Sequence, residues 1–216
     1  NDLDVAVLGC YLNLADPDGA RLAETIEKYK AQIRFASWLG AGVVGTETGN
    51  PNSLYVPDPA SRTEEALYTF TKNLSCVVEY AEKMGVVVAI EPVCRHIVYD
   101  ARRARQVLRS IQSPNLQIIL DPVNLLDDCD AGRYKDVVKE AIELLGEDVA
   151  VIHVKDFSVS DGKIVSMAAG TGIMDYSDLL RFMKTDKPYI HATLEDTVPE
   201  NAVQAREFME RLWNEA

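Results

Sequence analysis

The chain has 216 residues, is 47% hydrophobic and carries a net charge of −12. That size allows one domain with a substantial core over residues 1–216, while no run approaches the roughly 18 apolar residues of a membrane span and no signal-peptide pattern opens the sequence. The acidic balance excludes a surface built for nucleic acid, which needs clustered Lys and Arg, so small molecules are the expected partners. Cys10, Cys76, Cys94 and Cys129 are scattered without a CxxC pair, which reads as reduced thiols in a cytoplasmic protein and not as a zinc site.

In chain order, Asp4 to Asn13 (DVAVLGCYLN) reads as a strand that opens into the polar loop ADPDGA. Arg21 to Gly40 has helical periodicity in Leu22, Ile26, Tyr29 and Ile33, with Trp38 as a packing residue and Gly40 as the stop. Val43 to Gly49 (VVGTETG) is the second strand, and the turn-rich loop after it brings Tyr55 to a pocket. Arg62 to Gly85 is the second helix.

Val86 to Val93 (VVVAIEPV) is the third strand, followed by a helix from Ala101 to Ser113 that is basic on its exposed side. LQIILD then precedes a helix over Tyr134 to Leu145, and VAVIHV follows as the fifth strand. Between Phe157 and Tyr176 the alternation breaks, and Asp161-Gly162 predicts a hairpin turn. A helix from Ser177, the strand YIHATLE and a helix from Asn201 to Trp213 close the chain.

Six strand-helix units with near-continuous apolar strands predict a parallel α/β sheet covered by helices, either open or closed into a barrel. Four consecutive strands decide between the two. They end on Glu91, Asp121, His153 and Glu195, and only a curling sheet brings four successive C-terminal ends around one centre.

A lone carboxylate ending an apolar strand needs solvent or a cation. The four residues are separated by 30, 32 and 42 positions; the first two intervals match one βα unit of about 30 residues, and the third contains the predicted hairpin. Side-chain alternation places Ala89 below Glu91, Ile119 below Asp121 and Val151 below His153. Three carboxylates and an imidazole suit one divalent ion, with Mn²⁺ or Mg²⁺ favoured by the oxygen-rich set and Zn²⁺ or Co²⁺ also accommodated. His191, four residues before Glu195, is expected in the core.

The ordered motifs EP at Glu91-Pro92, LDPVN at Leu120 to Asn124, IHVKD at Ile152 to Asp156, GTG before Asp175 and LE at Leu194-Glu195 resemble the sugar phosphate isomerase/epimerase family. Its members share the xylose-isomerase-like TIM barrel with ketose 3-epimerases, inosose dehydratases and the endonuclease IV type. The resemblance spans essentially the whole chain. It implies one divalent metal on Glu91, Asp121, His153 and Glu195, with Glu91 and Glu195 also serving as acid and base beside a metal-bound carbonyl.

The family barrel has eight strands and six are read here, so the resemblance implies that the first two units are missing and that the chain is N-terminally incomplete. Open edges then predict a homo-oligomer. Where ketose 3-epimerases commonly carry a histidine and an arginine, this chain has Asn124 and the run Lys155-Asp156-Phe157. Asn124, Lys155, Arg95, His96 and Glu47 are the candidate substrate contacts, and Gly170 and Gly172 form either a phosphate-binding loop or a plain turn.

The expected activity is isomerisation or epimerisation of a small sugar, sugar phosphate or polyol ketone. The alternatives are a lyase of the inosose dehydratase type and an inactive sugar-binding barrel remnant. A three-zinc nuclease centre is excluded by a count of three histidines.

Overall fold

Capping chemistry sets the helix boundaries. In a computed structural model that describes residues 3–216, Asp18, Thr63 and Asp100 stand at N-caps and accept backbone N–H groups, while Gly40 and Gly85 close the two longest helices with φ of 80° and 66°. The elements run β1 (Leu8–Gly9), α1 (Gly19–Leu39), β2 (Val43–Glu47), α2 (Glu64–Met84), β3 (Val87–Glu91), α3 (Ala101–Ile111), β4 (Leu116–Leu120), α4 (Tyr134–Leu145) and β5 (Val149–Val154). They continue with β6 (Asp156–Ser160), β7 (Lys163–Met167), α5 (Ser177–Asp186), β8 (His191–Leu194) and α6 (Ala202–Glu215). Among the described residues no helix is long and apolar enough to cross a membrane.

Six strands form one parallel sheet in the order β1-β2-β3-β4-β5-β8, and β6 and β7 form a separate antiparallel pair. The hairpin turns at Asp161 and Gly162, both at positive φ, as the sequence predicts. The sheet has two faces of different chemistry. The outer face packs on the helices through the large core that includes Val44, Val88, Ile90, Ile118, Leu120 and Ile152.

The inner face carries a smaller cluster of Ala89, Ile119 and Val151, with Val7, Val43, Val87 and Ala150 against it. This is the set that strand alternation predicts beneath Glu91, Asp121 and His153. The inner face is narrow: a Cβ on Gly45 would lie 2.6 Å from Ile119 Cδ1 and 2.8 Å from Val7 Cγ2, so glycine lets the neighbouring side chains close over β2.

Four expectations need correction. The first strand covers only Leu8–Gly9 and not Asp4 to Asn13, because it sits at the sheet edge and pairs only with Val44 and Gly45. Trp38 is 79% exposed, on the helix face away from the sheet. His191 opens edge strand β8 and is exposed, not in the core. Arg103 is buried, where its guanidinium donates to Ile97 O, Glu64 and Thr63 O, so α3 is not basic only on its outer side.

Candidate metal centre

Parallel pairing brings the predicted strand ends to one level. Glu91 ends β3, Asp121 follows β4, His153 is the fifth residue of β5 and Glu195 follows β8. One ligand atom from each lies within 4.8 Å of every other. Adjacent strands are about 4.8 Å apart, so strand ends that begin three strands apart meet only because the sheet curls.

His153 Nδ1 is the hub. It lies 3.0 Å from Glu195 Oε1, 3.4 Å from Glu91 Oε2 and 4.0 Å from Asp121 Oδ2. Lys155, two residues on and 6% exposed, places Nζ 2.9 Å from Asp121 Oδ2 and 3.0 Å from Glu195 Oε2. The backbone of Lys155 is held by Tyr176, whose hydroxyl donates to its carbonyl.

Burial and charge compete at each group. Burial opposes the charge on His153, but Glu195 and Glu91 beside it prevail and raise its pKa to about 10. Glu195 is desolvated too, yet His153 and Lys155 hold it down at about 2. Burial lifts the fully enclosed Asp121 carboxyl against the pull of Lys155, with Glu91 adding to the rise.

The residues fit one divalent cation. His153 Nδ1 and Asp121 Oδ2 are buried without an aligned hydrogen bond, although Asp121 Oδ2 is close to Lys155; such atoms call for a further partner. Donors around a common ion at bonds of about 2.0–2.2 Å lie roughly 3–4.4 Å apart, which is the scale of this cluster. With three carboxylates and Lys155 charged, two negative charges remain for a divalent ion to neutralise.

The other candidates fall into three groups. Asn124 Nδ2 donates to Glu91 Oε1 at 2.5 Å, and Lys155 lies among the ligands themselves. Glu47 and His96 stand beside the cluster: β2 and β3 pair Glu47 with Glu91 in register, and His96 Nδ1 is 3.7 Å from Glu47 Oε2. Arg95 stands apart, is 57% exposed and among the described residues forms an ion pair only with Asp128, at 3.9 Å.

Tyr11 belongs to none of the sequence motifs. It lies half-buried on the loop after β1, and its hydroxyl is pushed up to about 12 by desolvation and by the charges of Glu91, Glu195 and Glu47. A tyrosine just past a strand end, at the level of the other strand ends, is the only sequence signal for it.

The glycine loop is a turn wrapped around a carboxylate of the chain itself. Asp156 Oδ1 accepts from Phe157 N and Met174 N, and Oδ2 accepts from Gly170 N. A Cβ on Gly172 would lie 2.2 Å from Phe157 O and 2.4 Å from Asp156 Oδ1, so the close approach requires glycine.

A family model described as "Xylose isomerase-like TIM barrel" matches residues 1–212. No curated protein matches the chain in sequence. Among solved structures, a D-tagatose 3-epimerase-like protein superposes with a TM-score of 0.79 at 21% identity, covering 99% of this chain and 79% of its own. The IOLI protein with a binding zinc atom gives 0.70 at 18% identity, covering 97% and 76%. The 3-keto-D-glucoside 4-epimerase YcjR from E. coli gives 0.71 at 16% identity, covering 97% and 79%.

Proposed function

The chain belongs to the xylose isomerase-like TIM barrel family, and on that premise we propose that it is a divalent-metal-dependent isomerase or epimerase of a small polyol ketone. The observation that carries this reading is the convergence of Glu91, Asp121, His153 and Glu195 to within 4.8 Å at the C-terminal mouth of the sheet. Neighbours described as a D-tagatose 3-epimerase-like protein and a 3-keto-D-glucoside 4-epimerase favour epimerisation, and the zinc in a third favours a divalent ion. The ion, when bound, supplies Lewis acidity toward a substrate carbonyl.

The chain's own residues divide the remaining work. Glu91 has Oε1 fixed by Asn124 and Oε2 turned toward His153. Glu195 has Oε2 fixed by Lys155 and Oε1 toward His153. Each glutamate is thus oriented through one oxygen.

Glu195, held as the anion, accepts the proton from the carbon next to the carbonyl, and Glu91 exchanges a proton on the other side. Lys155 positions Asp121 and Glu195.

Two groups suited to a phosphate are already engaged, Lys155 with two carboxylates and Gly170 N–H with Asp156, and Arg95 stands exposed beside Asp128, outside the ligand cluster. An unphosphorylated substrate is therefore favoured over a sugar phosphate. As part of the same reading, the chain is one domain, a curled six-stranded part of a barrel, whose copies associate through the free edges of β1 and β8, and sedimentation measures that association.

The test is solvent exchange. Mn²⁺-loaded protein in D₂O is incubated with a panel of ketoses, keto-inositols and their phosphates, and loss of the carbon-bound proton is followed by NMR. Exchange into an unphosphorylated ketone is expected. A new enone absorbance would instead identify a lyase, and no exchange into any compound would overturn the reading.

A further inference from the structure

Beside the ligand cluster stands a second polar group that the proposed chemistry does not use. Glu47 Oε2 receives the Tyr55 hydroxyl at 3.3 Å and faces His96 Nδ1 at 3.7 Å. The Tyr55 ring meets the His96 ring edge-on, with centroids 5.5 Å apart. Two side chains from separate loops thus converge on one carboxylate oxygen at a strand end.

The convergence is built in. Tyr55 has φ of 56°, a conformation that costs a non-glycine residue energy and persists only where its surroundings impose it. The loop around it is tied down: Asn13 donates to Asn50 O and Asn52 O, and Ile97 N donates to Gly49 O beside His96. The effect of this anchoring is to set the Tyr55 hydroxyl on Glu47 and its ring on His96.

His96 Nδ1 is buried with no aligned hydrogen bond, although the side chain keeps 11% exposure. The accessible part is therefore the rest of the ring, which includes Nε2. A buried imidazole N–H has a strong preference for an acceptor, and catalytic hydrogen bonds are often long before a substrate binds.

We propose that Glu47, buttressed by Tyr55, holds His96 in the Nδ1–H tautomer, so that Nε2 is presented as an acceptor for a substrate hydroxyl. His96 becomes a specificity-determining contact and Glu47 a positioning residue. Burial keeps the imidazole neutral, pushing its pKa down to about 4 against the opposing charge of Glu91, so the lone pair on Nε2 is available at neutral pH.

The location sets the ligand class. Glu47 pairs in register with Glu91, so the two side chains share one face of the sheet and the group that His96 reads belongs to the same ligand that Glu91 serves. A hydroxyl on a neutral polyol chain meets that requirement. This deepens the proposed function and rests on it for the identity of the ligand, but the tautomer can be observed without any ligand.

The experiment uses the long-range ¹H–¹⁵N spectrum of the imidazoles in the metal-free full chain, where only three histidines contribute and His96→Gln assigns the relevant pair. The Nδ1–H tautomer is expected in wild type, retained in Glu47→Gln, which keeps an acceptor, and lost from dominance in Glu47→Ala. With whichever ketose exchanges fastest in D₂O, Glu47→Ala and His96→Ala should raise KM about tenfold, the effect of one lost hydrogen bond, while Mn²⁺ binding measured by calorimetry stays within about threefold of wild type. The Nε2–H tautomer in wild type, or an unchanged tautomer in Glu47→Ala, would overturn the inference. Failure of wild type to bind Mn²⁺ would overturn the metal reading and leave the tautomer result standing by itself.

Discussion

Asn124 donates its side-chain amide to Glu91 Oε1 at 2.5 Å, so one oxygen of a predicted metal ligand and proton carrier is fixed by the residue three positions beyond another predicted ligand. The same loop is itself pinned by Asp121, whose Oδ1 accepts from Val123 N and Asn124 N. Asp121 thus sets Asn124, and Asn124 sets Glu91. Removing groups that orient ligands costs about 10–100-fold in metal affinity or activity, and Asn124→Ala is expected to lose that much in solvent-exchange rate. Asn124→Asp should do worse, because it places a carboxylate against Glu91 Oε1. Equal rates for the two variants would show that the amide does not orient Glu91.

Lys155 makes the ion-free site tolerable by standing between Asp121 and Glu195. Its loss in Lys155→Met leaves Asp121, Glu195 and Glu91 to share the single imidazolium of His153, and breaking a buried pair in this way costs about 3 kcal/mol. The metal-free variant should melt well below wild type, and Mn²⁺ should raise its melting temperature by more than it raises that of wild type. Thermal unfolding in EDTA and in Mn²⁺ measures both; an unchanged metal-free melting temperature would contradict the assigned role.

Metal binding should release a proton. His153 has a pKa raised to about 10 in the ion-free site, whereas coordination requires a neutral imidazole. At pH 7.5 nearly one proton should appear per ion bound, seen by calorimetry in buffers of different ionisation enthalpy, and apparent affinity should rise about tenfold per pH unit until near pH 10. The same shift contributes to stability in a defined direction: the contribution is fully present below the unfolded imidazole value of about 6.5 and is lost as pH rises through about 10. His153→Gln should abolish the proton release.

Gly172→Ala tests the loop around Asp156. The new Cβ would meet a backbone carbonyl at 2.2 Å, which no rotamer change relieves. A loss of about 1–3 kcal/mol is expected, measured by urea unfolding. Wild-type stability in this variant would mean that the loop rearranges freely.

The ligand set was legible because it depends on two simple periodicities. Apolar strands end where the polar residue appears, and alternation within each strand places Ala89, Ile119 and Val151 on the face that the structure gives them. What the sequence does not display is which strands form the edges. Leu8–Gly9 and β8 each have one neighbour in the sheet, so His191 is exposed and the first strand is short despite its apolar composition.

Contacts between distant loops were also hidden. Nothing near Lys155 in the sequence announces that its ammonium will reach Asp121, 34 positions away. Nor does ARRAR distinguish the buried Arg103 from the exposed Arg102. These outcomes depend on where carbonyls and carboxylates converge after the chain has folded.

The edge position of β8 gives the cluster an order in time. Glu91, Asp121 and His153 come from strands paired on both sides and are at most 2% exposed, whereas the Glu195 side chain is 31% exposed and follows a strand paired only with β5. Backbone that borders few partners opens most often, so Glu195 is the gate of the set. An ion bound here would arrive and depart past it, and its residence time is expected to follow opening of β8 more than the strength of the three enclosed ligands.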